Sequence, residues 1–68
     1  MLTFEIDGSN EGIEVFLDAE GIEEMINYLN YIKEHSDHHH LIVGKELDSK
    51  LINSANKLVK HVKLVYLD

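Results

Sequence analysis

The chain has 68 residues, 44% of them hydrophobic, which is enough for one compact core and too few for two independently stable domains, so residues 1–68 are read as a single domain. The absence of cysteine excludes disulfide staples and thiolate zinc sites. Thirteen acidic against six basic residues give a formal charge of −7, which repels phosphate backbones and anionic headgroups and argues against nucleic acid and membrane as partners.

Leu2, Phe4 and Ile6 alternate with Thr3, Glu5 and Asp7, the two-residue period of a strand with one buried face. This opening carries acidic charge, unlike a signal or transit peptide, and no apolar run approaches the roughly 20 residues that span a bilayer. A cytoplasmic protein is expected. The cluster Asp7 to Gly12 supplies the glycines and asparagine that a hairpin turn requires, and Ile13, Val15 and Leu17 resume the alternation, so residues 13–17 are expected to pair antiparallel with the first strand.

Asp18 offers a side-chain oxygen to the free amides of a helix starting at Ala19, and Glu20, Glu23 and Glu24 place negative charge near its positive end. Ile22, Met25, Ile26, Leu29 and Ile32 recur at three- and four-residue spacing, which predicts a helix to His35 with one apolar stripe. The run Leu41, Ile42 and Val43, closed by Gly44, predicts a third strand over 38–43, and the alternation of Val62, Leu64 and Tyr66 predicts a last strand over 59–67. Between them the spacing of Leu47, Leu51, Ile52, Ala55 and Leu58 fits a short helix, while Ser54 and Asn56 fit a hairpin turn equally well.

These elements predict an α+β fold, a mostly antiparallel sheet of about four strands (a hairpin, a helix, two further strands) with one long helix packed on one face. The expected core face is Leu2, Phe4, Ile6, Ile13, Val15, Leu17, Leu41, Val43, Val62, Leu64 and Tyr66 against the helix stripe. The opposite face, Thr3, Glu5, Glu14, Phe16, His38, His40, Ile42, His61, Lys63 and Val65, has nothing in the sequence to cover it.

Asp37-His38-His39-His40 is the conspicuous constellation. On a strand, His38 and His40 project from the same face, a spacing that lets two imidazoles share a transition metal with His61 as third ligand; the plainer reading is a polar edge with ordinary hydrogen bonds. No cofactor is implied. Catalysis has little support: there is no thiol, Gly-rich phosphate loop or nucleophile elbow, and Ser9, Ser36, Ser49 and Ser54 lie in turn-like or unassigned segments. An acid–base pair such as Glu14 with His40 would lack a water-excluded pocket in so small a domain, and the chain is read as a binding protein, not an enzyme. Tyr28 and Tyr31, on the helix flank with Glu24 and His35, either anchor a protein interface or fold over the core edge. The acidic residues of the first third, Glu14, Glu20, Glu23 and Glu24 among them, form either a solvated surface or a negative patch that docks on a basic partner.

The opening hairpin, the helix start Asp18-Ala19-Glu20-Gly21-Ile22-Glu23-Glu24, the stretch Asp37-His38-His39-His40-Leu41, the pair Glu46-Leu47 and the run from Asn56 to Leu64 cover most of the chain. In these segments it resembles immunity protein 32, a family of small inhibitors in bacterial polymorphic toxin systems. It departs from that family in passing from Val43-Gly44-Lys45 directly to Glu46-Leu47, without a Pro, Trp and Gly-rich loop, and in ending on Tyr66-Leu67 where successive aromatics are expected. The resemblance implies a protein that stays in the producing cell and neutralises a cognate toxin domain by binding it, with His38, His40 and Leu41 as the matching positions. The leading expectation is therefore a cytoplasmic immunity protein that occludes a basic toxin through Glu14, Glu20, Glu23, Glu24, Tyr28, Tyr31, His38 and His40. The alternatives are a histidine-based metal protein using His38, His40 and His61, and a homodimer packed through Phe16, Ile42 and Val65.

Overall fold

A computed structural model describes all 68 residues. The chain forms β1 (Leu2–Ile6), β2 (Ile13–Leu17), α1 (Ala19–His35), β3 (His38–Ile42), β4 (Lys57–Leu58) and β5 (His61–Val65). The fold is α+β, with one helix against antiparallel strands. The strands divide into two sheets: β2-β1-β4 and β3-β5.

The hairpin pairs Leu2 with Leu17, Phe4 with Val15 and Ile6 with Ile13, which puts all six apolar side chains on one face. Its turn is held by Asp7, whose carboxylate accepts from the amide and hydroxyl of Ser9, and by Asn10 at φ 61°, a left-handed conformation that asparagine tolerates. The helix starts and stops where its sequence signals lie. The Asp18 carboxylate accepts from the Gly21 amide at 2.8 Å and from the Met1 amino group, and Ser36 closes the helix at φ 50°, with its amide donating to the Ile32 carbonyl. Gly21 is buried where the helix crosses Met1, and a Cβ there would overlap the Met1 carbonyl.

The last strand expected over 59–67 is β5, and a further short strand, β4, precedes it in the chain. Lys57 and Leu58 pair with Ile6 and Glu5 along the free edge of β1, and the Val59 amide donates to Phe4; the chain then crosses to the second sheet, where β5 pairs with β3 from His38↔Val65 to Ile42↔His61. Two consecutive strands thus serve two sheets, β4 on the edge of β1 and β5 beside β3. Residues 45–57 contain no helix, and their one strand residue is Lys57 at the start of β4. Gly44–Glu46 form a turn closed by a bridge between Val43 and Leu47, and residues 48–56 run irregularly across the first sheet.

That irregular segment corrects the reading of the second face as uncovered. Glu5 is fully buried beneath it, its carboxylate accepting from the amides of Ile52 (2.6 Å) and Asn53 (3.3 Å) and from the side-chain amide of Asn56 (3.0 Å), which also donates to Glu14 (2.9 Å). Burial pushes the Glu5 carboxyl up, but the Ile52, Asn56 and Asn53 donors together outweigh it and hold the group below its ordinary range. Of the two readings that the spacing left open here, the short helix does not form, and Ser54-Ala55 make a turn closed by the Asn56 amide donating to the Asn53 carbonyl.

The core lies between the two sheets and α1: Leu2, Leu41 and Leu47 are buried, with Phe4, Met25, Tyr28, Val43, Val62 and Leu64 packed around them. The expected core face is covered only in part. Ile13 (64% exposed), Val15 (41%) and Leu17 (39%), with Ile22 (50%), Ile26 (51%) and Leu29 (45%) of the helix stripe, stay open to solvent, as does Tyr66 beyond the end of β5. The physical reason lies in the helix rotation: α1 seats on the line Gly21, Met25, Tyr28 and Ile32, which displaces the strongest apolar stripe to its flank. The radius of gyration is 12.5 Å, against about 11 Å expected for this length. The accessible surface is 4823 Å², against about 4,400 Å² for a typical monomer of 7.8 kDa.

Removing the buried carboxylate strands three donors in a closed interface. Glu5→Ala is expected to lower the thermal midpoint by on the order of 5–15 °C, whereas Glu20→Ala, at an exposed position, leaves it within about 2 °C; differential scanning calorimetry of the two variants checks the contrast.

Candidate functional site

Alternation along β3 decides which way each histidine points. His39 and Leu41 face the core, and His38, His40 and Ile42 face outward beside His61, Lys63 and Val65 of β5. On that outer face His40 Nδ1 and His61 Nε2 lie 2.7 Å apart, the rings stacked with centroids at 4.9 Å, so one imidazole donates to the other. The two residues are diagonal neighbours across the ladder, since His40 pairs with Lys63 and His61 with Ile42. His38 meets His40 edge-on at 4.9 Å, and its Nδ1 is 3.0 Å from Asp37 Oδ1.

The expected trio therefore does share one face. Its donors do not converge: His40 and His61 are engaged with each other, His38 is turned to Asp37, and no group of three or more His, Asp or Glu side chains has a metal-holding geometry. Burial, followed by the positive charges of His38, His61, Lys63 and His39, pushes the His40 imidazole below its ordinary value and favours the neutral ring that a His–His hydrogen bond requires.

His39 is the residue that the outward-facing pattern missed. It stacks on Tyr28 with centroids 4.9 Å apart and tilts against Tyr31 at 5.7 Å, with Tyr31 also touching His35, and its Nε2 is buried without a partner. The signal was present in the alternation itself, which puts His39 on the side of Leu41. Tyr28 is half-buried and donates to Glu24 at 3.5 Å; burial first, then the Glu24 charge, pushes its phenol above the usual range. Tyr28 thus belongs to the core edge, while Tyr31 stays 44% exposed.

The remaining expected contacts are dispersed. Glu20 and Glu23 are exposed near the helix start and form no hydrogen bond or ion pair with the histidines. Glu14 lies on the first sheet, bound to Asn56, and forms no acid–base pair with His40 on the second. Phe16 is on the face covered by residues 48–56, so it shares no surface with Ile42 and Val65 of the second sheet.

The chain's electrostatics are distinctive. The Met1 amino group is paired with Asp18, and none of the six lysines lies within ion-pair distance of a carboxylate. The acidic surplus is therefore not neutralised internally. No helix is long and apolar enough to cross a membrane. Comparison with protein-family models, with curated proteins and with solved structures finds no match in any of the three.

The unfolded chain takes up a proton on His40 near pH 6.5, and the folded chain takes it up only at lower pH. Between those values the unfolded state binds more protons, so stability falls as pH drops below about 6.5. Thermal melts from pH 7.5 to 5 are expected to show this loss above the carboxylate range, and His40→Gln is expected to flatten it; an unchanged slope would assign the loss to other groups.

Proposed function

We propose that this chain is an immunity protein that acts by binding, not by catalysis, and neutralises a cognate basic toxin domain inside the producing cell. The observation that carries this reading is the unneutralised charge: a −7 chain whose lysines make no ion pairs presents a net negative field to any approaching partner. Such a field steers a cationic surface into encounter and repels polyanions. The resemblance of Asp37-His38-His39-His40-Leu41 and the acidic helix start to immunity protein 32 supports the same reading.

The division of labour follows from where the residues lie. Glu20, Glu23 and Glu24 on the first turns of α1 supply the long-range attraction, with their backbones fixed by the Asp18 cap. The outer face of β3 and β5, with His38, His40 and the exposed Ile42 and Val65, supplies a mixed aromatic and aliphatic contact surface. Inhibition is steric, by occlusion of the toxin's working groove.

The test is association kinetics with the toxin domain encoded beside this protein's gene. Replacing Glu20, Glu23 and Glu24 together by lysine is expected to lower the association rate by about tenfold or more at low salt, with a smaller effect at 0.5 M salt. No binding to that toxin, or a rate indifferent to both charge reversal and salt, would overturn the proposal.

A further inference from the structure

We infer that β2 is a self-pairing edge, and that two copies of this chain join through it into one continuous sheet. β2 is the outer strand of its sheet, with β1 on one side and nothing on the other. The Asp7 amide donates to Gly12 and the Asp18 amide donates to Met1, so the residues bracketing β2 face β1. By strict alternation Glu14 and Phe16 also turn their backbone groups to β1, and Ile13, Val15 and Leu17 turn theirs to the open edge. The residues with free backbone groups are thus the ones with exposed aliphatic side chains.

That coincidence selects the occupant. An antiparallel pairing of β2 with itself, centred on Val15, sets Val15 opposite Val15 of the second copy and Ile13 opposite Leu17. All three open residues then form hydrogen-bonded pairs across a two-fold axis. The register keeps like charges apart, since Glu14 falls opposite Phe16 and not opposite another Glu14. The edge carries none of the devices that discourage such pairing: β2 contains no lysine, proline or bulge, and the carboxylate of Glu14 is bound to Asn56.

The side chains agree with the edge. Ile13, Val15 and Leu17 lie on the face toward which α1 packs, and Ile22, Ile26 and Leu29 sit on the helix flank turned away from His39 and β3. A second copy brings the same six aliphatic residues to meet them. The surface in excess of a typical monomer, roughly 400 Å², is about half of what a standard interface buries on each partner. The expanded radius of gyration points the same way.

Sedimentation equilibrium of the full chain from 1 to 200 μM at about 0.15 M salt tests the inference. The expected result is a concentration-dependent rise from 7.8 kDa to twice that mass. Val15→Lys sets two cations opposite each other on the axis and is expected to raise the dimer dissociation constant at least about 100-fold. Ile13→Lys, at the most exposed aliphatic position of the strand, is a second break that leaves the monomer core alone, and circular dichroism of both variants checks that α1 persists. Val65→Lys, on the outer face of β5, is the control and leaves the dimer intact. A wild-type mass of 7.8 kDa throughout overturns the inference, and so does a dimer dissociated by Val65→Lys but not by Val15→Lys or Ile13→Lys.

Discussion

The buried Glu5 carboxylate organises this small fold. A charge enclosed without donors is strongly unfavourable, so the carboxylate must collect them, and the donors within reach are the amides of Ile52 and Asn53 and the side chain of Asn56. Satisfying Glu5 lays residues 48–56 across the first sheet, brings Lys57 and Leu58 to the open edge of β1, and delivers the chain to the crossing that starts β5. A short irregular segment thereby acts as a layer of the structure. With few buried hydrophobic residues to define the core, this polar anchor adds a directional contact between the segment and the first sheet.

The histidine run shows how one alternation separates two environments. His39 enters the aromatic edge of the core with Tyr28 and Tyr31, while His38 and His40 meet His61 on the outside. Leu41 closes the run as one of the most deeply buried residues. The His40 and His61 rings hold one another through a hydrogen bond in which one ring must accept as neutral imidazole, and the lowered His40 value favours that form. In the proposed function this face would contribute contact area and the acidic helix start would contribute steering.

Surface charge and surface hydrophobicity occupy different places in this molecule. The acidic excess is spread over the hairpin turn and the first turns of the helix, unpaired by lysine. The aliphatic excess gathers on β2 and one flank of α1. Charge acts across a Debye length and favours encounter with a basic partner, whereas aliphatic side chains act only on contact and need a complementary edge. The two proposed interactions, with a basic protein and with a second copy of the chain, would therefore draw on different chemistry.

The local elements were determined by the sequence alone. The hairpin over 2–17, the helix from the Asp18 cap to His35, and the inward and outward sides of β3 follow from periods and caps that act between near neighbours in the chain. Only the tertiary structure decided what covers each face. It buried Glu5, which alternation assigned to an open surface, and it left Ile13, Val15, Leu17, Ile22, Ile26 and Leu29 exposed where periodicity assigned them to the core. It also set β4 and β5 in different sheets and joined His40 to His61 across 21 residues. The physical reason is the range of the forces involved. Periodicity and capping are set within a turn of helix or a pair of residues, whereas burial depends on which distant segment reaches a face first, and here a carboxylate's demand for donors decided that competition.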